Sequence, residues 1–297
     1  MQRLRRILAF TAGGLVALLI LGGVLVATWP PFARWLLGIE TVRAEVSAFP
    51  LAAPAFDHAL LDHVLETHVH DGYVDYSAIA SDPSALRRYM AQLATSGPQT
   101  TPARFPTEAF RTAWTINAYN AAVLLGVIDH WPIRSVREVH GLIEPKPGFG
   151  FFWAQRFVLD GRQTNLIDLE SELRRRTGDA RVHAALNCAS VGCPDLRAAA
   201  WAADTLDEDL DRAARRLASE PRHVQVDDAG EAIVLSQIYQ WYAADFERDA
   251  RQRGLGIEVL DWIAHFADDE TADALARARS AGYAVRYRPY DWGLNGT

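Results

Sequence analysis

Two cysteines, Cys188 and Cys193, stand in the stretch Asn187-Cys188-Ala189-Ser190-Val191-Gly192-Cys193-Pro194. That spacing admits several chemistries. A thiolate at Cys188 would act as a nucleophile if a histidine or a helix N-terminus lowered its pKa. The N–H groups of Ser190-Val191-Gly192 would then be placed to receive an oxyanion. A Cys188–Cys193 disulfide is the second reading. Gly192-Cys193-Pro194 favours the turn that such a bond needs, and an oxidising compartment favours its formation. A buried, reduced pair is the third. A metal site is weaker, because only His183 is near in sequence and this cysteine spacing is not one that zinc prefers. No metal ligands are assigned, and nothing in the chain specifies a cofactor.

A nucleophile needs a base and something to orient it. His183 precedes Cys188 in an apolar run, but neither strand nor helix geometry puts the two on one face. His130 ends a long apolar helix, where the helix dipole favours a protonated ring. Asn117 and Asn120 share one side of that helix. Buried amides must find hydrogen-bond partners. They therefore either tie the helix to neighbouring backbone or orient a histidine, as in Cys-His-Asn enzymes. Glu170 is an acid/base or histidine-orienting candidate, although an ion-paired helix carboxylate is the commoner fate of such a residue. Residues 187–194, the Asn117/Asn120 face and Glu170 are expected to converge on one concave region. The chain has no P-loop, no dinucleotide glycine fingerprint, no zinc-protease helix motif and no hydrolase nucleophile elbow.

The elements that must position these groups follow from patterning. Residues 56–70 carry apolar side chains at helical spacing, and Asp71-Gly72 marks a turn. Asp82-Pro83 opens a second helix that stops at Gly97-Pro98. Residues 110–131 form a long helix, apolar nearly all round and therefore central. Residues 141–150 read as a Pro/Gly-rich loop, 157–159 as a strand, 165–176 as a helix, and 181–188 as either strand or helix. An amphipathic helix covers 206–217. Residues 223–226 and 232–235 make a hairpin. Ser236 caps a helix running toward Arg251. Two short helices and a strand at 283–287 complete an α+β domain, helix-rich over a small, mostly antiparallel sheet.

Taken in order, several segments resemble the domain-of-unknown-function family 547. They are Gly72-Tyr73-Val74-Asp75-Tyr76; Trp114 to Asn120, followed by His130-Trp131-Pro132-Ile133; Val182 to Pro194; Leu235 to Tyr239, with Trp241-Tyr242 and Asp245-Phe246; and Tyr290-Asp291-Trp292-Gly293-Leu294-Asn295. The resemblance spans roughly residues 60 to 295 and implies a fold and a set of positions, not a reaction. Two departures stand out. Ala113-Trp114-Thr115-Ile116-Asn117 replaces the family's Phe-Trp-Ile-Asn. Ser171 follows Glu170 where the family often has a histidine, so no histidine is available there. Asp291 and Trp292 are expected to dock the tail against the body.

The N-terminal region sets the expected location. Arg3, Arg5 and Arg6 precede a stretch, residues 7–29, with no charged residue. A helix of that length spans roughly 34 Å, enough for a bilayer crossing. Trp29, Phe32 and Trp35 follow as an interfacial belt. A cleaved signal peptide fits less well, since the apolar run exceeds the usual core of about 7–15 residues. The expected division is a cytoplasmic basic stub over 1–6, an anchor over 7–29, a connector over 30–55 and a periplasmic domain over 56–297. The single pass lies in a bacterial inner membrane with its N-terminus cytoplasmic.

Composition narrows the partners. The chain is 49% hydrophobic and 23% charged, with a net charge of −7, which excludes wholesale disorder and disfavours a nucleic-acid partner. Without the three N-terminal arginines the body holds 27 basic against 37 acidic residues, or −10. Two functions remain. One is a cysteine-dependent hydrolase or transferase acting on amide, thioester or peptide-like bonds of a small-molecule or peptide-like substrate. The other is a non-catalytic binding or envelope-assembly module with a structural Cys188–Cys193 disulfide. No protein partner is specified.

Overall fold

The computed structural model describes residues 30–39, 41–42 and 56–296. The expected anchor over 7–29 lies outside them, and no described helix is long and apolar enough to cross a membrane. The architecture is helix-rich α+β. Its centre is the helix Glu108–Asp129, which is buried continuously from Thr112 to Ile128. Its alanines admit close neighbours, and each large side chain fully withdrawn from water there contributes roughly 1.5–3 kcal/mol. The helices Ala59–His68, Ser84–Thr95 and Leu166–Thr177 surround it.

A second core lies C-terminal to this one. It packs the helix Leu206–Ser219, the helices Val259–Phe266 and Asp269–Ser280, and strands Val224–Asp227 and Ala232–Leu235 around Phe246, Trp262 and Ile263.

The sheet expectation needs correcting. In place of one small sheet there are, among the described residues, three, one of two strands and two of three strands. Val69–His70 pairs antiparallel with Tyr73–Val74 across the Asp71-Gly72 turn. Arg156–Leu159 pairs antiparallel with Arg162–Thr164. The turn between these strands holds Asp160 and Gly161 at φ 51° and 74°, the left-handed conformation that a tight hairpin turn requires. Each three-stranded sheet also has a parallel pairing, Thr41–Val42 on Arg156 and Phe157, and Ala284–Tyr287 on Ala232–Leu235. The outer strands return through long segments, which permits the parallel direction.

Local breaks also depart from the simple periodic reading. Asp75 caps an additional helix, Tyr76–Ser81, by accepting from the Ala78 N–H. Pro30–Leu37 is a short helix inside the expected connector. The helix capped by Ser236 stops at Trp241, and a new one, Ala243–Arg253, begins after Tyr242. Residues 181–188 are neither strand nor α-helix but a 3-10 turn, Ala180–Ala184, followed by irregular chain.

Candidate functional site

A cavity of about 530 Å³ opens where the two cores meet. The first core contributes Tyr119, Leu186, Phe152 and Trp292 to its wall, and the second contributes Ile238, Tyr242 and Tyr290. Three rings form one contiguous surface, with centroids 4.9 Å apart for Trp241–Tyr290, 4.7 Å for Tyr290–Trp292 and 5.9 Å for Trp241–Trp292. Phe149, Arg137 and the chain's single lysine, Lys146, lie on the same cavity.

Cys188 and Cys193 stand in this wall, joined as a disulfide with their Cα atoms 6.0 Å apart. The Cys188 N–H donates to the Cys193 sulfur at 2.8 Å, and the Tyr290 hydroxyl is 2.9 Å from the Cys188 sulfur. The C-terminal strand-like tail clamps this loop from outside. Val191 and Gly192 N–H groups donate to the Gly293 and Asp291 carbonyls, and Asn295 N–H donates to Ala189. The tail therefore docks as its sequence suggests, and it also places Tyr290 and Trp292 on the cavity.

His183 lies on the 3-10 turn that precedes the disulfide loop, and its ring lines the cavity. Its Nε2 is 3.0 Å from Asp245 Oδ2. The imidazole packs against the Tyr242 ring, tilted by 31°, with a centroid separation of 4.1 Å. Asp245 sits in the first turn of Ala243–Arg253 and also pairs with Arg174 at 2.5 Å and Arg248 at 2.8 Å. Burial alone would raise the Asp245 carboxyl, but His183 and Arg174 hold it well below the usual carboxylate range. The helix break at Tyr242 makes this arrangement. It turns the Tyr242 ring under His183 and starts a new helix with Asp245 beside it.

Glu170 also lines the cavity, 3.9 Å from Arg174 Nη1. Burial first, and Glu170 second, push the Tyr242 phenol above its ordinary range. The same two causes raise Tyr119, while burial raises Tyr290. The cavity thus presents three phenols that burial keeps protonated.

The remaining sequence candidates lie elsewhere. Asn117 exchanges two bonds with the Trp201 backbone, donating to its carbonyl at 2.8 Å and accepting from its N–H at 2.9 Å, and lies 3.2 Å from His58. Asn120 does the same across Ala185 and Asn187, donating at 3.0 Å and accepting at 2.9 Å. Neither amide lines the cavity. Asn120 acts on it indirectly, by fixing the backbone just before Cys188. His130 caps the central helix, its Nδ1 2.8 Å from the Gly126 carbonyl, and is likewise outside the wall. The structure therefore joins Cys188, His183 and Glu170 and separates Asn117, Asn120 and His130 from them. Sequence reasoning missed Asp245, Tyr242 and Tyr290. Their signal lay in the Trp241-Tyr242, Asp245-Phe246 and Tyr290 segments, which carried the resemblance without an assigned role.

A smaller cleft of about 160 Å³ is bordered by Arg197, Arg212, Arg216 and Arg222. Each guanidinium is already ion-paired to Asp209, Asp195 or Glu220, so their charge is compensated. Among the described residues no cluster of histidine, cysteine or carboxylate side chains is arranged to hold a metal ion.

These features define a class: a two-core, helix-rich α+β protein with an aromatic cavity whose wall contains a disulfide and a histidine that is paired with a carboxylate. Residues 104–217 match the model of the family described as "Protein of unknown function, DUF547", so the resemblance to that family holds over this stretch. The matched stretch contains Tyr119, Glu170, His183, Cys188 and Cys193. Tyr242, Asp245 and Tyr290 fall beyond it. No curated protein and no solved structure matches the chain.

Proposed function

We propose that the chain is a binding protein of the bacterial inner membrane, anchored by residues 7–29 with its main domain in the periplasm. Its cavity takes a small molecule with flat apolar faces and an anionic group. The observation that carries this reading is the Cys188–Cys193 bond in the wall of an aromatic cavity. A sulfur held in a disulfide is not a nucleophile, whereas the surrounding rings offer stacking surface and Arg137 and Lys146 offer cations. The basic residues ahead of the apolar run support the orientation. A fusion of alkaline phosphatase to the C-terminus is then active, and one to a fluorescent protein that folds only in the cytosol is dark. The reverse pattern contradicts the location.

Binding is tested on the full chain with 4-(trifluoromethyl)benzoate as the probe, read by fluorine NMR. Its line broadens with the oxidised protein, and the broadening is lost in the double variant Phe149→Ala/Trp241→Ala. It is kept in Ile257→Ala, which alters an exposed residue away from the cavity. Equal broadening in all three contradicts the reading.

A second reading rests on His183, which faces the same cavity as Cys188 and bonds Asp245. Once a dithiol donor had reduced the disulfide and been oxidised to its own disulfide, His183 would take the Cys188 proton and the thiolate would add to an amide, thioester or peptide-like carbonyl. The amine or thiol would leave carrying that proton, with Asp245 stabilising the imidazolium between, and water would release the acyl group from Cys188. The carboxylate bonded to His183 is that of Asp245, not of Glu170. This reading requires a reduced Cys188 in the working protein.

A further inference from the structure

The cavity rim includes Lys146, Pro147, Gly148 and Phe149, and these residues belong to a closed loop over 139–150. Gly150 is pressed against the Val139 carbonyl so closely that a Cβ would not fit, so the two ends of the loop meet. Its tip exposes large apolar side chains: Leu142 is 72% and Ile143 47% accessible. Glu144, the loop's one acid, is folded inward, where its Oε1 accepts from the Gly148 N–H at 2.8 Å. Lys146 stays exposed. The tip therefore presents two apolar side chains and a cation, with its carboxylate withdrawn. Water does not favour such a surface, and the headgroup–acyl boundary of a bilayer does.

What the tip is attached to points the same way. The Ile143 N–H donates to the Leu36 carbonyl at 3.1 Å, and Gly38 packs on Gly141 so tightly that a Cβ on Gly38 would lie 2.7 Å from the Gly141 nitrogen. The helix Pro30–Leu37 thus holds the tip directly, and it exposes Trp35 at 63% and the guanidinium of Arg34. This helix begins one residue after the uncharged run 7–29. At 1.5 Å per residue its length is only about 12 Å, too short to carry Leu142 and Ile143 far from the point where that run ends.

We propose that the face formed by Trp35, Leu142 and Ile143 lies in the outer-leaflet interface of the membrane that the preceding segment crosses. Arg34 and Lys146 meet lipid phosphates, and the rim of the aromatic cavity is held at the lipid surface. The occupant is the phospholipid bilayer itself. This rests on the anchor described under the proposed function. It adds that the cavity is loaded from the membrane plane and not from the aqueous space. Trp and Tyr prefer this depth, and long cationic side chains reach phosphates from it. The −10 charge of the body as a whole opposes adhesion of any other face.

The test uses the full chain reconstituted in phosphatidylethanolamine/phosphatidylglycerol vesicles. An environment-sensitive nitrobenzoxadiazole is placed on Leu142→Cys in one sample and on Ala229→Cys, in the exposed turn between Asp227 and Gly230, in another. The native cysteines remain paired and unlabelled. With spin-labelled lipids whose quencher lies just below the headgroups, the Leu142 probe is quenched at least threefold more than the Ala229 probe and its emission moves to the blue. Vesicle flotation in the same samples reads the anchor separately. A chain that floats with both probes equally unquenched overturns this inference and leaves the anchor standing. A chain that does not float removes both. As a second variant, Leu142→Glu/Ile143→Glu folds normally, since both side chains are in water in the isolated domain. It is expected to abolish the blue shift of a probe placed on Lys146→Cys, and an unchanged shift contradicts the inference.

Discussion

Two regions of the molecule bury polar side chains among apolar ones and satisfy them differently. On the central helix, Asn117 and Asn120 each take a donor and an acceptor from one stretch of backbone. Such bonds fix geometry and leave no chemistry over. Around the cavity, Glu170, His183 and Asp245 are linked through side chains: His183 to Asp245, Asp245 to Arg174, and Arg174 to Glu170. Such a network can change charge and so can respond to a ligand. The difference teaches that a polar residue in an apolar run is informative only once its partner is known.

The comparison breaks most visibly at Asp245. Asp245→Ala strands Arg174 and Arg248 and leaves His183 without its carboxylate, and losing one member of a buried ion pair costs about 3–5 kcal/mol. Denaturant unfolding should show that loss. A change below about 1 kcal/mol would mean that the network is solvated and does not resemble a buried site.

Acid separates the two regions in pH. Burial lowers His58, beside Asn117, to about 4, and His223 to about 3, from an ordinary value of 6.5. A folded-state pKa below the unfolded one means that the unfolded chain binds more protons. Stability therefore falls as pH drops from about 6.5 toward 4, by on the order of 3 kcal/mol for one such histidine. Asp245 is shifted in the same direction but by a different cause, a carboxyl held low by His183 and Arg174. Its contribution is intact above the unfolded carboxylate value and is lost only below about pH 4. An unfolding series in pH should show the first slope reduced in His58→Gln and the second removed in Asp245→Ala. A single slope unaffected by either variant would contradict the assignment.

The asparagines come next. Asn120→Ala orphans the Ala185 carbonyl and the Asn187 N–H, and Asn117→Ala orphans the Trp201 pair. Each is expected to cost about 2 kcal/mol. Only Asn120→Ala should also weaken binding of the benzoate probe, because it alone holds the backbone leading into Cys188. Equal binding losses would erase the distinction between the two. Glu170→Gln is the smallest perturbation to the fold. It should change stability by less than about 0.5 kcal/mol, while the anionic probe binds more tightly once the cavity carboxylate is gone. Weaker binding in this variant would count against an anionic ligand.

How much of this could be read in advance follows from the range of the interactions. The central helix, the helix capped by Asn165, the hairpin around Asp227 to Gly230 and the Ser236 cap are set by neighbours a few residues apart, and the sequence shows them. The division into three small sheets was not legible, because the parallel pairings join strands separated by long segments and leave no periodic trace. The same holds for the site. Cys188, His183 and Glu170 stood out by residue type, but Asp245 reaches His183 across 62 positions and Tyr290 reaches Cys188 across 102. Asn117 and Asn120 looked like site residues because an amide in an apolar helix has the same sequence whether it binds backbone or ligand. The helix break at Tyr242 was hidden because Ser236 to Arg251 has no Pro or Gly to mark it.

The central claim is that Cys188 belongs to the cavity wall as half of a disulfide and that the cavity binds and does not react. The most direct measurement is mass spectrometry of the full chain, isolated without reductant and treated with iodoacetamide at neutral pH before denaturation. The account predicts a peptide pair linking Cys188 to Cys193, no carbamidomethyl group on either residue, and unchanged binding of the benzoate probe. Selective carbamidomethylation of Cys188, with probe binding lost in proportion, would contradict it and move the weight to a thiol enzyme built on His183 and Asp245.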